Sequence, residues 1–160
     1  MLRFVYSIRI DAPVEVVFAF HEKPEALELL TPPWQKMEIV RREGGIRPGG
    51  EVEFRLRFGP LWLHWRARHG EFEPNRLFTD EQVSGPFRKW VHRHRFAAVD
   101  GATQLTDEIE CSLPGGALSD LLFGWLVSFQ LARLFMFRHR VTRRIVERTW
   151  RRGGEPPAAG

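Results

Sequence analysis

One uninterrupted segment near the end of the chain limits the possible folds more than any other feature. Between Ala117 and Arg151 the sequence has no proline, and Gly124 is its only glycine. Mostly apolar residues recur there at spacings of three and four, which predicts one long amphipathic helix. They are Leu118, Leu121, Leu122, Trp125, Phe129, Ala132, Phe135, Met136, His139 and Val146. The Gly- and Pro-rich residues 152–160 that follow are predicted to be a disordered tail.

The chain before this helix consists of short alternating runs separated by turn residues. Residues 2–10 alternate as a strand, and Asp11 and Pro13 then favour the start of a short helix. A second short helix follows, and about six further strands over residues 35–112 are separated by Gly, Pro and Asn. The predicted fold is α+β: a strand, two short helices, a bent antiparallel sheet and one long C-terminal helix that covers its apolar face. We expect a single domain over residues 1–151.

The composition is that of a soluble globular chain with an aromatic-rich interior. Of the 160 residues, 43% are hydrophobic, and the thirteen Phe and six Trp supply enough aromatic carbon for a large apolar interior or cavity. Cys111 is the only cysteine, which excludes an intramolecular disulfide and fits a reducing compartment. The N-terminus lacks the charged-then-apolar pattern of a signal peptide. We therefore expect a cytoplasmic protein.

The net charge of +4 is spread along the chain, except that the last helix is strongly basic. Its arginines fit either a solvated helix face or contact with an anionic partner such as a phospholipid surface or RNA. No nucleic-acid-binding motif is present, so we expect no nucleic acid partner. Asp120, Gln130 and Arg133 interrupt the apolar-rich residues 118–137, which argues against a transmembrane segment. Peripheral contact with an anionic membrane stays open, and the sequence does not indicate the oligomeric state.

Two histidines interrupt an aromatic strand face within residues 88–98. Trp90, His92, His94 and Phe96 alternate along the chain, so in a strand all four point to the same side of the sheet. The opposite side receives basic and aliphatic side chains. The histidines are therefore expected on the concave, apolar side.

Neighbouring strands add polar side chains to this face. The turn at residues 84–86 pairs residues 77–83 with the histidine-bearing strand, which brings Asp80 and Gln82 close to it. In the following strand Asp107 alternates with apolar residues, so it is also expected to point inward. A buried carboxylate needs a partner, and a histidine between carboxylates has its charged form favoured.

Four interpretations of this polar set stay open. It is a buried hydrogen-bond network, the polar end of an apolar ligand pocket, an acid–base pair, or a metal site of two His and one carboxylate. A His-x-His pair on one strand is a weak metal signal, and no HExxH motif or Cys ligand supports it. We therefore expect no metal and no cofactor. The candidate catalytic residues are His92, His94, Asp80 and Asp107.

Three residues of the long helix are further candidates. His139 lies on the apolar stripe and is either a hydrogen-bonded core histidine or a donor facing a pocket. Trp125 and Phe129 belong either to the core, the favoured interpretation, or to a cavity wall. The full set of candidate ligand-binding residues is Trp90, His92, His94, Phe96, Gln82, Asp107, Trp125, Phe129 and His139.

The order of these elements resembles the START/Bet v 1 superfamily, also called the SRPBCC or polyketide cyclase-like superfamily. The opening IRIDAPVEVVFAF and the LPGG join before the last helix carry part of the resemblance. The run Phe78-x-Asp80-x-Gln82-x-x-Gly85-Pro86-Phe87-x-x-Trp90-x-His92-x-His94-x-Phe96, followed by Leu105-Thr106-Asp107-Glu108, is similar to a bacterial subgroup of it. The resemblance covers roughly residues 2–150.

The resemblance implies a helix-grip fold with a hydrophobic cavity between the sheet and the long helix. Members of the superfamily hold lipids, sterols, quinones, polyketides or hormone-like molecules there, and some are cyclases or dehydratases. The expected function is binding of a small hydrophobic ligand with a His/Asp polar end. The alternative is a cyclase- or dehydratase-type enzyme that uses His92 or His94 with an Asp partner, and docking on an anionic surface through the basic helix is a third possibility.

Overall fold

The computed structural model describes residues 1–153, which form seven strands and three helices in the predicted order. Their bounds are β1 Leu2–Ile10, α1 Val14–Glu22, α2 Ala26–Leu29, β2 Met37–Glu43, β3 Glu51–Phe58, β4 Leu61–Glu73, β5 Leu77–Ser84, β6 Lys89–Val99, β7 Ala102–Ser112 and α3 Ala117–Arg151. The predicted helix-grip α+β fold is confirmed. Most of the predicted tail, from residue 154 onward, lies outside the described residues; Arg152 and Gly153 form the turn that ends α3.

The seven strands make one antiparallel sheet in the order β1-β7-β6-β5-β4-β3-β2. Five consecutive hairpins build it from β2 to β7, and β1 pairs with β7 to place the first strand beside the last. At the β6–β7 hairpin, Asp100 and Gly101 both have positive φ (50° and 75°), as a two-residue turn matched to the strand twist requires. This tight turn sets the register that places β6 side chains opposite those of β7.

The core consists of two apolar clusters on the concave face of the sheet. One surrounds α1 and includes Phe18, Phe78 and Phe96. The other lies under the middle of α3 and includes Trp90 and Phe135. Phe78 stacks on His94 with ring centroids 4.0 Å apart, and Phe135 meets the edge of His92 at 5.3 Å. The two histidines therefore lie where the two clusters meet.

The N-terminal half of α3 is far more exposed than its apolar sequence predicts. Trp125 is 70% exposed and Phe129 is 55% exposed, so the expectation that these two residues pack in the core is wrong. The buried face of this half carries small or apolar residues instead: Gly124 fits against Leu2, and Leu131 joins the second cluster. Trp125 and Phe129 are displaced from that face because successive helical residues are rotated by 100°.

By length and composition α3 could cross a membrane, and only 22% of its most apolar 18-residue stretch is buried. The interruptions noted in the sequence therefore do not remove the apolar character of this stretch. The helix nonetheless packs on the folded sheet, because Asp120 accepts a hydrogen bond from the backbone N–H of Leu113 at 2.7 Å and pairs with the N-terminal ammonium of Met1. These contacts anchor the start of α3 to β1 and β7.

Two shallow pockets formed by described residues lie away from His92 and His94. One, of about 330 Å³, lies at the end of α3, and its lining residues are Arg144, Glu147, Arg148, Arg151 and Arg152. The other, of about 350 Å³, lies at the β3–β4 end of the sheet, and its lining residues are Trp62, Leu63, His64, Ser84, Gly85 and Pro86. Around the histidines, aromatic side chains of the protein itself fill the space between sheet and helix.

Candidate functional site

The strand register brings the predicted polar residues together. Asp80 of β5 is the pairing partner of His92 on β6, and Asp107 of β7 is the pairing partner of His94. Both pairs lie on the concave face, because the alternation along β6 places His92 and His94 on the same side. The predictions that the hairpin brings Asp80 to the histidines and that the alternation of the next strand points Asp107 inward are confirmed.

Asp107 is the centre of the site and is almost fully buried. Its Oδ1 accepts a hydrogen bond from His92 Nε2, at 2.8 Å, and lies 2.7 Å from His94 Nδ1. Its Oδ2 accepts a short hydrogen bond from Nε2 of His139 on α3. One carboxylate thus links two strands and the long helix, and His139 is a hydrogen-bonded core histidine, as one of the two predictions for it stated.

Asp80 faces the other nitrogen of each strand histidine. Its Oδ2 lies 3.3 Å from His92 Nδ1 and 3.2 Å from His94 Nε2. Every ring nitrogen of the two histidines therefore has a carboxylate oxygen nearby. A neutral imidazole has only one N–H, so the four contacts are all hydrogen bonds only when both rings are imidazolium. Asp80, His92, His94, Asp107 and His139 are called the His/Asp cluster below.

The charged forms of Asp80, His92 and Asp107 are favoured although burial disfavours them. Burial by itself lowers the pKa of His92, but the charge of Asp80 and the hydrogen bonds to Asp107 and Asp80 outweigh it and raise that pKa to about 9. Burial by itself raises the pKa of Asp80 and of Asp107. The charges and hydrogen bonds of the surrounding histidines outweigh that effect, so both carboxyl pKa values lie below their usual range. The cluster therefore contains buried ion pairs.

Three further titratable residues lie beside the cluster, and the sequence pattern did not indicate any of them. His69 of β4 is the pairing partner of Asp80, and burial lowers its pKa. His21, at the end of α1, donates Nδ1–H to the carbonyl of Val17 at 2.8 Å. Burial first, and then the charge of His94, lower the pKa of His21 to about 4. Arg138 of α3 donates Nε–H to the carbonyl of Leu30 at 3.2 Å. Burial lowers its pKa, and the charges of the two cluster carboxylates oppose that effect.

Other predicted site residues lie apart from the cluster or around it. The side-chain amide of Gln82 donates to the carbonyl of Phe87 at 2.7 Å and accepts from its N–H at 3.2 Å, so Gln82 holds the β5–β6 turn. Trp90 and Phe96 are buried on either side of the cluster. The indole of Trp125 bonds within α3 to the carbonyl of Leu122. The structure therefore does not bring Gln82 or Trp125 to the histidines.

An aromatic strip leads from the cluster across the concave face. Trp90 lies 6.5 Å from His92 between ring centroids, Trp65 lies 5.1 Å from Trp90, and Phe54 stacks on Trp65 at 5.8 Å. Along the strip burial decreases, since Phe54 and its neighbour Leu56 on β3 are only half-buried. The concave face is therefore polar and mostly buried at one end, and apolar and partly open at the other.

Comparison with solved structures supports the fold. The chain matches a nucleoside-diphosphate sugar epimerase from Corynebacterium glutamicum with a TM-score of 0.70 and 24% identity, over 92% of this chain but only 30% of that one. It matches the protein TTHA0849 from Thermus thermophilus with a TM-score of 0.65 and 17% identity, over 95% and 99% of the two chains. It matches the Zhui aromatase/cyclase from Streptomyces sp. R1128 with a TM-score of 0.68 and 18% identity, over 96% and 98%.

The family comparison agrees with the resemblance found in the sequence. A search of curated proteins finds no match. Residues 10–135, which include the His/Asp cluster except His139, match the family described as polyketide cyclase/dehydrase and lipid transport. The chain therefore belongs to the polyketide cyclase/dehydrase and lipid transport family, within the START/Bet v 1-like superfamily.

Proposed function

We propose that the protein binds a small hydrophobic molecule, of lipid, quinone or polyketide type, along the aromatic strip, with the polar end of that molecule at the His/Asp cluster. The observation that carries this proposal is the arrangement of a charged cluster at the buried end of an incompletely buried apolar strip. Ligand sites of this kind are mostly apolar, with a few convergent polar groups that fix orientation. Family membership supports the same class of ligand.

The cluster is accessible from one side. Asp80 is 18% exposed and His94 is 12% exposed, whereas His92, Asp107 and His139 are almost completely buried. A carbonyl, hydroxyl or carboxylate oxygen of a ligand would reach the cluster beside Asp80 and His94. The apolar part of the ligand would displace the half-buried side chains near Phe54 and Leu56, because aromatic side chains of the protein occupy the strip beside the cluster.

The cyclase- or dehydratase-type alternative requires a ring nitrogen that is free to take a proton. Both ring nitrogens of His92 face carboxylates, and so do those of His94. In this arrangement, without a bound ion, His92 acts as a charged hydrogen-bond donor rather than as a base. The geometry therefore favours binding over proton abstraction.

The test uses oleic acid, decyl-ubiquinone and 1,8-dihydroxyanthraquinone as probes, with thermal shift and native mass spectrometry as readouts. At least one probe should raise the melting temperature in a concentration-dependent way and appear as a one-to-one complex. Leu56→Gln should weaken that binding at least about tenfold, since a polar group would be buried against the ligand. Trp62→Gln is the control, because Trp62 lies on the outer side of β4. Absence of binding by all three probes, or equal binding by Leu56→Gln, would contradict the proposal.

The exposed face of α3 favours a second function, peripheral docking on an anionic membrane. Six exposed apolar residues share this face: Leu118, Leu121, Leu122, Trp125, Phe129 and Met136. The same face continues toward the C-terminus with exposed arginines, Arg140, Arg143 and Arg144 among them. Glu147, which also lies there, accepts a hydrogen bond from the backbone N–H of Asp11. An apolar stripe that continues into a basic one is typical of interfacial helices.

We propose that the apolar stripe enters the headgroup region while the arginines contact phosphates. The arginine-lined groove at the end of α3 gives the same charge complementarity. A reducing cytoplasm, expected from the single cysteine, would make the inner leaflet the partner.

Vesicle co-sedimentation tests the docking. Binding to phosphatidylglycerol-containing vesicles should exceed binding to pure phosphatidylcholine vesicles, and salt should weaken it. Trp125→Ser and Arg143→Glu should each reduce binding several-fold, whereas Trp62→Ser should not, since Trp62 is an exposed aromatic on the sheet. Equal binding by Trp125→Ser and the wild type would contradict docking through α3.

A further inference from the structure

Three atoms of the His/Asp cluster converge on one point. Asp80, His92 and His94 each place one potential ligand atom within 4.8 Å of those of the other two, and the atoms that meet at Asp80 Oδ2 are His92 Nδ1 and His94 Nε2. The carboxylate oxygen is 3.3 Å from one nitrogen and 3.2 Å from the other. Ligand atoms bound at about 2.0–2.1 Å around a tetrahedral zinc ion are separated by roughly 3.3 Å. The spacing toward Asp80 is therefore that of ligands sharing an ion, and it is longer than an ordinary charged hydrogen bond.

The opposite side of the same two rings has a different geometry. His92 Nε2 and His94 Nδ1 lie 2.8 Å and 2.7 Å from Asp107 Oδ1, which are hydrogen-bond distances. Histidines that bind a metal generally donate their other ring N–H to a carboxylate or carbonyl, which fixes the tautomer and the ring orientation. Asp107 accepts such a hydrogen bond from His92, and its Oδ1 is also the nearest carboxylate oxygen to Nδ1 of His94. Without an ion, His94 Nε2 is within hydrogen-bond distance of Asp80. His139 holds the second oxygen of Asp107, so the supporting carboxylate is itself fixed.

The single N–H of a neutral imidazole allows Asp107 to act as the hydrogen-bond acceptor and Asp80 as a metal ligand. When Asp107 accepts the single N–H of each neutral ring, the nitrogens that face Asp80 carry lone pairs. Two lone pairs and a carboxylate oxygen form a donor set of two His and one carboxylate. A divalent ion among them would also offset the charges of Asp80 and Asp107, which otherwise need two buried imidazolium ions.

We propose that Asp80, His92 and His94 bind one divalent transition-metal ion of the zinc class, with Asp107 and His139 as the supporting shell. The sequence analysis expected no metal, because His-x-His on one strand is a weak signal. Folding adds the third ligand from β5 and the orienting carboxylate from β7. Three protein ligands leave a fourth coordination position, on the side where Asp80 and His94 are partly exposed. The site does not depend on the identity of any organic ligand.

The experiment strips the tag-free protein with a chelator and titrates it with Co²⁺, followed by visible absorption, and then displaces Co²⁺ with Zn²⁺. The wild type should bind one equivalent with the intense ligand-field bands of a four-coordinate site. His94→Ala and Asp80→Asn should each lose most of the affinity. Asp107→Asn should bind about 10–100-fold more weakly while keeping similar bands, because it changes only the supporting shell. His64→Ala is the control, since His64 is an exposed histidine that pairs with Glu53 on the outer side of the sheet.

Two measurements on the wild-type protein test the proposal even if the variants fail to fold. X-ray absorption of the zinc-loaded wild type should show two imidazole ligands and one carboxylate, and zinc should raise the melting temperature of the stripped protein. Lack of saturable Co²⁺ binding by the wild type would overturn the proposal. So would unchanged affinity in a folded Asp80→Asn or His94→Ala protein, or a zinc spectrum without imidazole ligands.

Discussion

Asp107 lies directly across the β6–β7 pair from His94, and its carboxylate Oδ1 is 2.7 Å from His94 Nδ1. The same carboxylate reaches His139 on the long helix. Asp107 therefore couples the sheet, through His94, to the helix that covers it, through His139. Because Asp107 is almost fully buried, removing its charge should lower the free energy of unfolding.

Asp107→Asn should destabilise the metal-free protein by about 3 kcal/mol, because removing one partner leaves buried charges without compensation. The matched control is Glu110→Gln on the same strand. Its carboxylate pairs with Arg93 on the outer face, where a half-exposed ion pair contributes about 0–1 kcal/mol. Urea unfolding of both variants measures the difference, and equal stabilities would mean that Asp107 does not organise the core.

Phe135→Ala should cost about 3–5 kcal/mol of unfolding free energy, since Phe135 is almost fully buried between Phe4 and the ring of His92. Phe123→Ala removes the same side chain from the same helix, but Phe123 is 53% exposed. Its change should stay within about 0.5 kcal/mol. Comparable losses in the two variants, measured by denaturant titration, would contradict the described orientation of α3.

Gly124 faces Leu2, and a Cβ at this position would lie 2.5 Å from Leu2 Cδ2. Gly124→Ala should gain up to about 1 kcal/mol of helix propensity and lose a comparable amount through this clash. In a Leu2→Ala background the clash is gone, so the same substitution should be stabilising. A double-mutant cycle with thermal unfolding measures the coupling, and additive effects would show that the two residues do not touch.

His21 should make the protein less stable in mild acid. Its pKa in the folded protein is about 4, below the ordinary 6.5 of the unfolded chain, because it is buried and faces the charge of His94. The charge of His139 acts in the same direction, and that of Asp107 opposes it. The unfolded state therefore binds the proton first, and stability falls as pH drops from about 6.5 to 4, by about 3 kcal/mol in total.

Urea unfolding at a series of pH values measures this loss. His21→Gln should flatten the curve between pH 6.5 and 4, because it removes the titrating group. A smaller loss should remain in this range, because burial also lowers the pKa of His69. A further loss should begin below the ordinary pKa of the two cluster carboxyls, whose pKa values are lowered in the folded protein. An unchanged slope in the His21→Gln protein would assign the acid sensitivity to another group.

The sequence by itself determined the element order and the direction of the key side chains. The two-residue period of β6 placed His92 and His94 together, and the turn between β5 and β6 placed Asp80 beside them. The alternation of β7 placed Asp107 inward. These inferences succeed because strand geometry and hairpin pairing are local, so they follow from spacing and turn residues.

Only the tertiary structure decided which long-range neighbours complete the site. His139 is 32 residues from Asp107 in sequence, and His21 is more than 70 residues from His94, so no spacing rule relates them. The apolar period of α3 fixed a helix but not which of its apolar residues face the sheet, since Trp125 and Phe129 fit the period and lie outside. Packing selects that face through shape, with Gly124 against Leu2 and Phe135 against His92, and shape arises only when the whole sheet is in place.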